Sequence, residues 1–164
     1  MSDEIRFDGL VGTERVVADA AARGLAVEII ERPAASSLAE AAALLGIRPL
    51  DIVKTLVVKR SDDTYLFALV PGGRKISWPK LRALLGVNKL QLPDAERALA
   101  ATGYERGTIT PLGSTHEWPV VADVSIVGAR VAMGAGAHGH SAFVDADALI
   151  AAFDATVADI TDPE

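Results

Sequence analysis

The run Asp51-Ile-Val-Lys-Thr-Leu-Val-Val-Lys59 narrows the choice of fold more than any other part of the chain. Its β-branched residues predict a strand, in which successive side chains point to opposite faces. Ile52, Lys54, Leu56 and Val58 then share one face, so a charged ammonium stands in an otherwise apolar row. Taking a lysine charge out of water costs several kcal/mol unless a partner or ligand compensates it. Either the face is open and Lys54 snorkels to solvent, or the ammonium is kept there for something it binds. Ser61-Asp62-Asp63 supplies turn chemistry directly after the run, and Tyr65-Leu-Phe-Ala-Leu-Val70 returns as an antiparallel partner.

Helix and strand signals alternate around that hairpin with no Gly/Ser linker and no internal repeat, which reads as one α/β domain over residues 1–164. Thr13 is positioned to cap a helix ending at Gly24, and Leu25 to Ile30 predicts a short strand. Ser37-Leu-Ala-Glu40 has the capping-box pattern and opens an alanine-rich helix that stops at Gly46. Ser77 to Gly86 predicts a capped helix with Pro79 in its first turn, Lys89 to Leu92 a short strand, and Pro93 to Gly103 a helix with proline in front and glycine behind. From Gly103 to Pro119 the composition turns to Gly, Thr, Pro and Ser without periodicity, a long loop of the kind that is functional or disordered in small domains. Strands at Val120 to Val127 and Arg130 to Met133, a glycine-rich turn, a strand at Ser141 to Val144 and a helix from Asp145 to Phe153 complete the pattern.

With 164 residues, 50% of them hydrophobic, the chain can bury a substantial core. No stretch approaches the roughly 20 apolar residues of a spanning helix. The opening Met-Ser-Asp-Glu-Ile-Arg has no basic segment followed by an apolar one, so a soluble cytoplasmic protein with no membrane partner is expected. The absence of cysteine removes disulfides, thiolate nucleophiles and sulfur-ligated zinc. A net charge of −6 argues against a protein that coats DNA through a broad positive field, but leaves local RNA contact open. Arg74, Lys75, Lys80, Arg82 and Lys89 follow one another with no intervening Asp or Glu, as either a solvated face or a positive island.

Gly134-Ala-Gly136-Ala-His-Gly139 matches G-x-G-x-x-G, yet a dinucleotide site needs that turn to run from a strand into a helix, and a strand-like segment follows it here. A glycine turn between two strands is either a plain hairpin or a place where a ligand approaches the backbone and meets its amide hydrogens. His138 and His140 lack an H-E-x-x-H or comparable ligand set, and there is no G-x-S-x-G elbow, so neither a metal centre nor a serine triad is expected. Gly107-Thr-Ile-Thr-Pro111-Leu-Gly113 is either a stiff surface loop or a set of amides suited to an oxyanion or carbonyl.

Taken together, Ile52-Val-Lys54-Thr-Leu56, Gly103-Tyr104 with Gly107-Thr-Ile-Thr-Pro111-Leu-Gly113, Trp118-Pro-Val-Val-Ala-Asp123 and the glycine turn ending at Gly139 resemble the YbaK/EbsC family in order and spacing, over roughly residues 25 to 160. Members of that family are small aminoacyl-tRNA deacylases, also found as the editing insertion of bacterial prolyl-tRNA synthetases. The resemblance implies an α/β (α+β) fold with a mixed, barrel-like β-sheet surrounded by helices, and no cofactor. It sets Lys54 on the family's essential lysine, Gly107 and Thr108 in its G-x-x-x-P loop, and Gly134, Gly136 and Gly139 on the glycine turn that faces the substrate. Where the family often has a serine opening that turn this chain has Gly134, and where an acidic residue often follows it this chain has Ser141. Those departures leave the acyl specificity open.

The implied activity suits these residue types. A synthetase pocket rejects a side chain lacking one methylene by only about 1–3 kcal/mol, so a second sieve that hydrolyses the wrong ester is required. Ester hydrolysis needs neither metal nor covalent nucleophile when water is positioned and the oxyanion meets preorganised donors. The expected partners are the acceptor end of a mischarged tRNA, with Arg74, Lys75 and Lys80 as its contacts, and an aminoacyl-tRNA synthetase. A non-catalytic module that binds aminoacyl-tRNA or an adenylate-like small molecule is the alternative.

Overall fold

The computed structural model describes residues 9–164; the opening Met-Ser-Asp-Glu-Ile-Arg, on which the expectation about a leader was read, lies outside them. Helix α1 (Thr13–Ala22) precedes β1 (Val27–Glu31), and α2 (Leu38–Leu45) leads into the hairpin of β2 (Val53–Arg60) and β3 (Tyr65–Pro71). There follow β4 (Arg74–Ile76), α3 (Trp78–Leu85), β5 (Leu90–Gln91), α4 (Ala95–Thr102), β6 (Val120–Asp123), β7 (Arg130–Gly134) and β8 (His140–Asp145). Helix α5 (Ala146–Phe153), β9 (Thr156–Ala158) and β10 (Thr161–Pro163) end the chain.

The strands form a five-stranded sheet in the order β5-β2-β3-β6-β9, a three-stranded sheet β1-β8-β7 and a β4-β10 pair. The larger sheet is mixed: β2 and β3 are antiparallel, while β3, β6 and β9 run parallel. An isolated parallel bridge between Ile52 and Ala132 joins it to the three-stranded sheet. The mixed α/β class agrees with the expectation, but the sheets do not close into a barrel. Among the described residues β5 covers β2 only at Lys59 and Arg60, and β7 reaches it only through that bridge, so no described strand pairs with that edge in the middle of β2.

Alternation along β2 divides the interior. Val53 and Val57 join Phe67, Leu69, Val131, Met133 and Leu149 in a core between the two larger sheets and α5. Val58 lies with Leu66, Ala68, Val70, Leu81 of α3 and Ile160 in a second core, against which Leu56 packs. Lys54 shares the parity of Leu56 and Val58, as the sequence pattern requires.

Local signals acted largely as read, with instructive exceptions. Ser77 accepts from Lys80 N–H and Gly86 closes α3 in the left-handed conformation, so serine and glycine delimit that helix. Before α4 the cap is Asp94, accepting from Arg97 N–H at 2.8 Å. Thr13 caps nothing: the N-cap of α1 is Gly12, with no side-chain bond. The capping box at α2 is half made, because Ser37 Oγ accepts from Glu40 N–H at 3.0 Å while the Glu40 carboxylate turns to Ser36 Oγ at 2.7 Å. Strand β6 stops four residues earlier than expected because buried Asp123 turns the chain. Its carboxylate accepts from Ser125 N–H (3.1 Å) and hydroxyl, Ile160 N–H (3.0 Å) and Thr161 Oγ1 (3.0 Å), tying β6 to the start of β10.

Candidate functional site

The free edge of β2 borders a cavity of about 440 Å³. Gly72 N–H donates to Ile52 O and Arg60 N–H to Thr64 O, both at 2.8 Å, so the even-numbered residues of β2 direct their peptide groups at β3. Val53, Thr55 and Val57 therefore direct theirs at the opposite edge. Among the described residues the peptide groups of Thr55 and Val57 on that edge have no strand partner. The apolar lining comes from Leu45, Ile52, Val57, Ala98, Ile109 and Met133. Thr55 Oγ1 is buried in this lining with no hydrogen-bond partner. An apolar floor with unpaired peptide groups along one side suits a small ligand that carries both apolar and carbonyl parts.

Two turns flank the edge. Gly107, of the 103–119 loop, lines the cavity, as do Gly134 and Ser141 at the ends of β7 and β8. Gly107 has φ +92°, a conformation that only glycine takes without strain. At Gly134 the reason for glycine is space: a Cβ there would stand 2.4 Å from Ile109 O and 3.0 Å from Thr108 O. This contact accounts for glycine at this position, since any side chain would push the two turns apart. Thr108 is buried behind the lining, its hydroxyl donating to Glu105 O at 2.8 Å, and Gly136 N–H donates to Thr108 O at 2.9 Å. Gly139 sits farther along, its carbonyl accepting from Arg32 N–H at 2.8 Å. Of the expected residues, Lys54, Gly107, Gly134 and Ser141 line the cavity, whereas Thr108, Gly136 and Gly139 hold the turns together behind it.

Lys54 is not extended into bulk water, and among the described residues it has no salt bridge. Its ammonium is partly buried, and its hydrogen-bond partner is Arg74 O at 3.5 Å, a long approach that leaves donor capacity unused. No group of three or more His, Asp or Glu capable of holding a metal occurs among the described residues. His138 approaches the Glu105 carboxylate at 3.4 Å, and His140 donates Nδ1–H to His138 O at 2.9 Å.

The sequence reading missed what anchors the 103–119 loop. Arg15 of α1, 7% exposed, donates to Gly113 O (2.8 Å), Gly103 O (3.2 Å) and Thr102 O (3.0 Å), and lies over the Tyr104 ring at 4.5 Å. Asp19, one turn later, accepts from Gly113 N–H at 2.8 Å, and Tyr104 Oη donates to Leu112 O at 2.6 Å. The loop is thus buried from Thr110 to Thr115 instead of lying on the surface. The sequence shows Arg15 and Asp19 only as charges four apart on a predicted helix; their burial, rare for such residues without partners, is a tertiary fact.

None of Arg74, Lys75 and Lys80 lines the cavity. Lys80 is held by Asp159 (3.1 Å) and Asp162 (3.0 Å); these carboxylates raise its pKa above the ordinary lysine value, and Lys80 lowers that of Asp159. Arg74 donates to Thr161 Oγ1 at 2.6 Å, and Lys75 is exposed on β4.

Comparison with known proteins agrees with this geometry. Residues 32–152 match the aminoacyl-tRNA editing domain. Proline--tRNA ligase of Thermosipho melanesiensis is 35% identical over 99 residues, covering 60% of this chain and 17% of the ligase. That of Heliobacterium modesticaldum is 33% identical over 116 residues, covering 70% of this chain and 20% of the ligase. The chain therefore spans only about a fifth of the length of the curated relatives it matches. Among solved structures, a candidate trans-editing enzyme for prolyl tRNA synthetase superposes with a TM-score of 0.84 at 26% identity, covering 92% of this chain and 96% of that one. A hypothetical protein does so with a TM-score of 0.83 at 27% identity, covering 90% and 99%. With more than two thirds of its length matched and the cavity built from the same segments, the chain belongs to the aminoacyl-tRNA editing domain family.

Proposed function

We propose that residues 1–164 act as one editing module, in the cytoplasm, that hydrolyses the ester bond of a mischarged aminoacyl-tRNA in trans after a synthetase has released it. The observation that carries this reading is the open β2 edge inside an apolar cavity, flanked by the Gly107 and Gly134 turns and by Lys54. The aminoacyl side chain enters the apolar floor, where the size of the space acts as the sieve. Peptide N–H groups of the β2 edge and of the Gly107 loop face the ester carbonyl. Water adds to that carbonyl, the oxyanion is held by these donors, and the acyl–oxygen bond breaks with the proton passing to the departing ribose oxygen. One oriented donor of this kind contributes about 10²–10³ in rate. Lys54 serves as a fixed cation for the terminal adenosine phosphate or the ester carbonyl, and a neighbouring ribose hydroxyl assists the proton transfer. The tRNA contacts at Arg74, Lys75 and Lys80 belong to the same proposal, with Lys75 the most accessible of the three.

The test is incubation with tRNAs charged with alanine, cysteine, serine or threonine, with release of free amino acid followed over time. Release from at least one, faster than spontaneous hydrolysis, is expected. Retention of intact aminoacyl-tRNA on the protein would show a binding module instead.

A further inference from the structure

We infer that Arg32 and Arg106 clamp the backbone phosphates of a single-stranded RNA 3′ end as it enters the cavity; this rests on the editing reading and names the part of the substrate that the site grips. The described cavity lining contains Arg32, Lys54, Arg106 and His140, and no Asp or Glu. On a chain of net charge −6, three cationic residues, Arg32, Lys54 and Arg106, from three separate segments around one opening are a local reversal of sign. Such a cleft concentrates the field on an anion.

Like Lys54, the two arginines carry charge that no described carboxylate neutralises. Arg106 immediately precedes Gly107, is exposed, and has no ion-pair or hydrogen-bond partner among the described residues. Arg32 is partly buried and already aimed: Nε donates to Ser141 Oγ at 3.0 Å and Nη1 to Pro33 O at 3.1 Å, while its backbone is fixed by the bond from its N–H to Gly139 O. Among the described residues both of its side-chain partners are neutral, so they orient the guanidinium without neutralising it and leave three of its five N–H donors available. Ser141 acquires a reason here. A carboxylate at that buried position would sit against Arg32 and cancel the charge, whereas a hydroxyl steers it. By contrast Lys80, in the basic run of the sequence, is already neutralised by two aspartates. The fork geometry of guanidinium suits phosphate oxygens, and the apolar floor beyond is left to the terminal acyl group.

The experiment measures binding of an uncharged RNA single strand ending in CCA by fluorescence anisotropy across a salt series. The wild type is compared with Arg106→Gln, Arg32→Gln, the double variant and Arg130→Gln. Removing one arginine–phosphate pair should flatten the plot of log Kd against log salt by about 0.7, and the double variant should flatten it by about 1.4. Arg130→Gln, which removes an arginine outside the cavity paired to Glu28 at 3.0 Å, should keep the wild-type slope. A circularised strand of the same composition, with phosphates but no end, should bind at least tenfold more weakly. Wild-type slopes in Arg106→Gln and the double variant, or equal binding of the circle, would overturn the inference. Arg106 has no partner among the described residues, so its variant tests the idea even if Arg32→Gln folds poorly. Wild-type deacylation separates the two claims: activity with unchanged slopes defeats only the clamp, and arginine-dependent slopes without activity defeat only the hydrolase.

Discussion

Replacing Arg15 by alanine should be the most damaging single change outside the cavity. The side chain is 7% exposed and supplies donors to the carbonyls of Gly113, Gly103 and Thr102. A buried carbonyl stripped of its donor costs about 1–3 kcal/mol, less where water enters the gap. The contact with the Tyr104 ring adds roughly 1 kcal/mol. Allowing for partial hydration, the loss is about 3–5 kcal/mol, the range found when a buried charged partner is removed. For a chain of this size about 2–4 °C accompanies each kcal/mol, so the midpoint should fall by roughly 6–20 °C. Thermal unfolding followed by circular dichroism reads this directly. Because the side chain holds the loop that carries Gly107, deacylation assayed well below the lowered midpoint should lose kcat more than KM changes. Arg15→Lys, which keeps the charge but not the fork, should recover part of the midpoint. A midpoint within about 2 °C of wild type for Arg15→Ala, less than 1 kcal/mol is expected to produce, would refute the claim that α1 anchors the loop.

Gly134→Ser should be destabilised by about 1–3 kcal/mol in thermal unfolding, since its Cβ meets Ile109 O at 2.4 Å and the turns must separate. Thr55→Val removes a buried hydroxyl that has no partner, so urea unfolding should show unchanged or slightly raised stability, by at most about 1 kcal/mol, while the acyl preference in the deacylation panel shifts. Acid stability provides a linkage test. The hydrogen bond from Arg48 lowers the Asp51 pKa, and that from Lys80 lowers Asp159. Carboxylates depressed in the folded state contribute stability above their unfolded pKa and lose it as pH falls through the folded one, so the melting midpoint should decline below about pH 4. Asp51→Asn should flatten part of that decline, and an unchanged profile would remove the Arg48–Asp51 pair from the account.

How far the sequence could be read depended on whether the deciding interaction was local. Helix ends set by Ser77, Gly46, Gly86 and Gly103 were legible because a cap acts within a few residues. The β2–β3 hairpin was legible for the same reason, a turn between two β-rich runs. β4, β9 and β10 were not, being three residues each and held by distant pairing, as between Arg74–Ile76 and Thr161–Pro163. The ion pairs that neutralise Lys80 link it across about 80 residues to Asp159 and Asp162, so its cluster looked more basic in the sequence than it is in space. The open edge of β2 was likewise invisible, because it results from how little of that strand β5 and β7 cover. Lys54, Gly107 and Gly134 could be picked out in advance from residue type and spacing, and Ser141 only through the family resemblance; that they line one cavity is a tertiary fact.

The central claim is that the cavity at the β2 edge cleaves an aminoacyl ester with Lys54 as its fixed cation. Single-turnover deacylation of the tRNA that the wild type hydrolyses best, compared with Lys54→Ala at matched melting midpoints, tests it most directly. With Lys54 in that role, the rate in the variant should be lowered by at least about 10²-fold, the size of effect expected when an electrostatic group beside the reacting centre is removed. A variant that stays folded and turns over within a few-fold of wild type would contradict it.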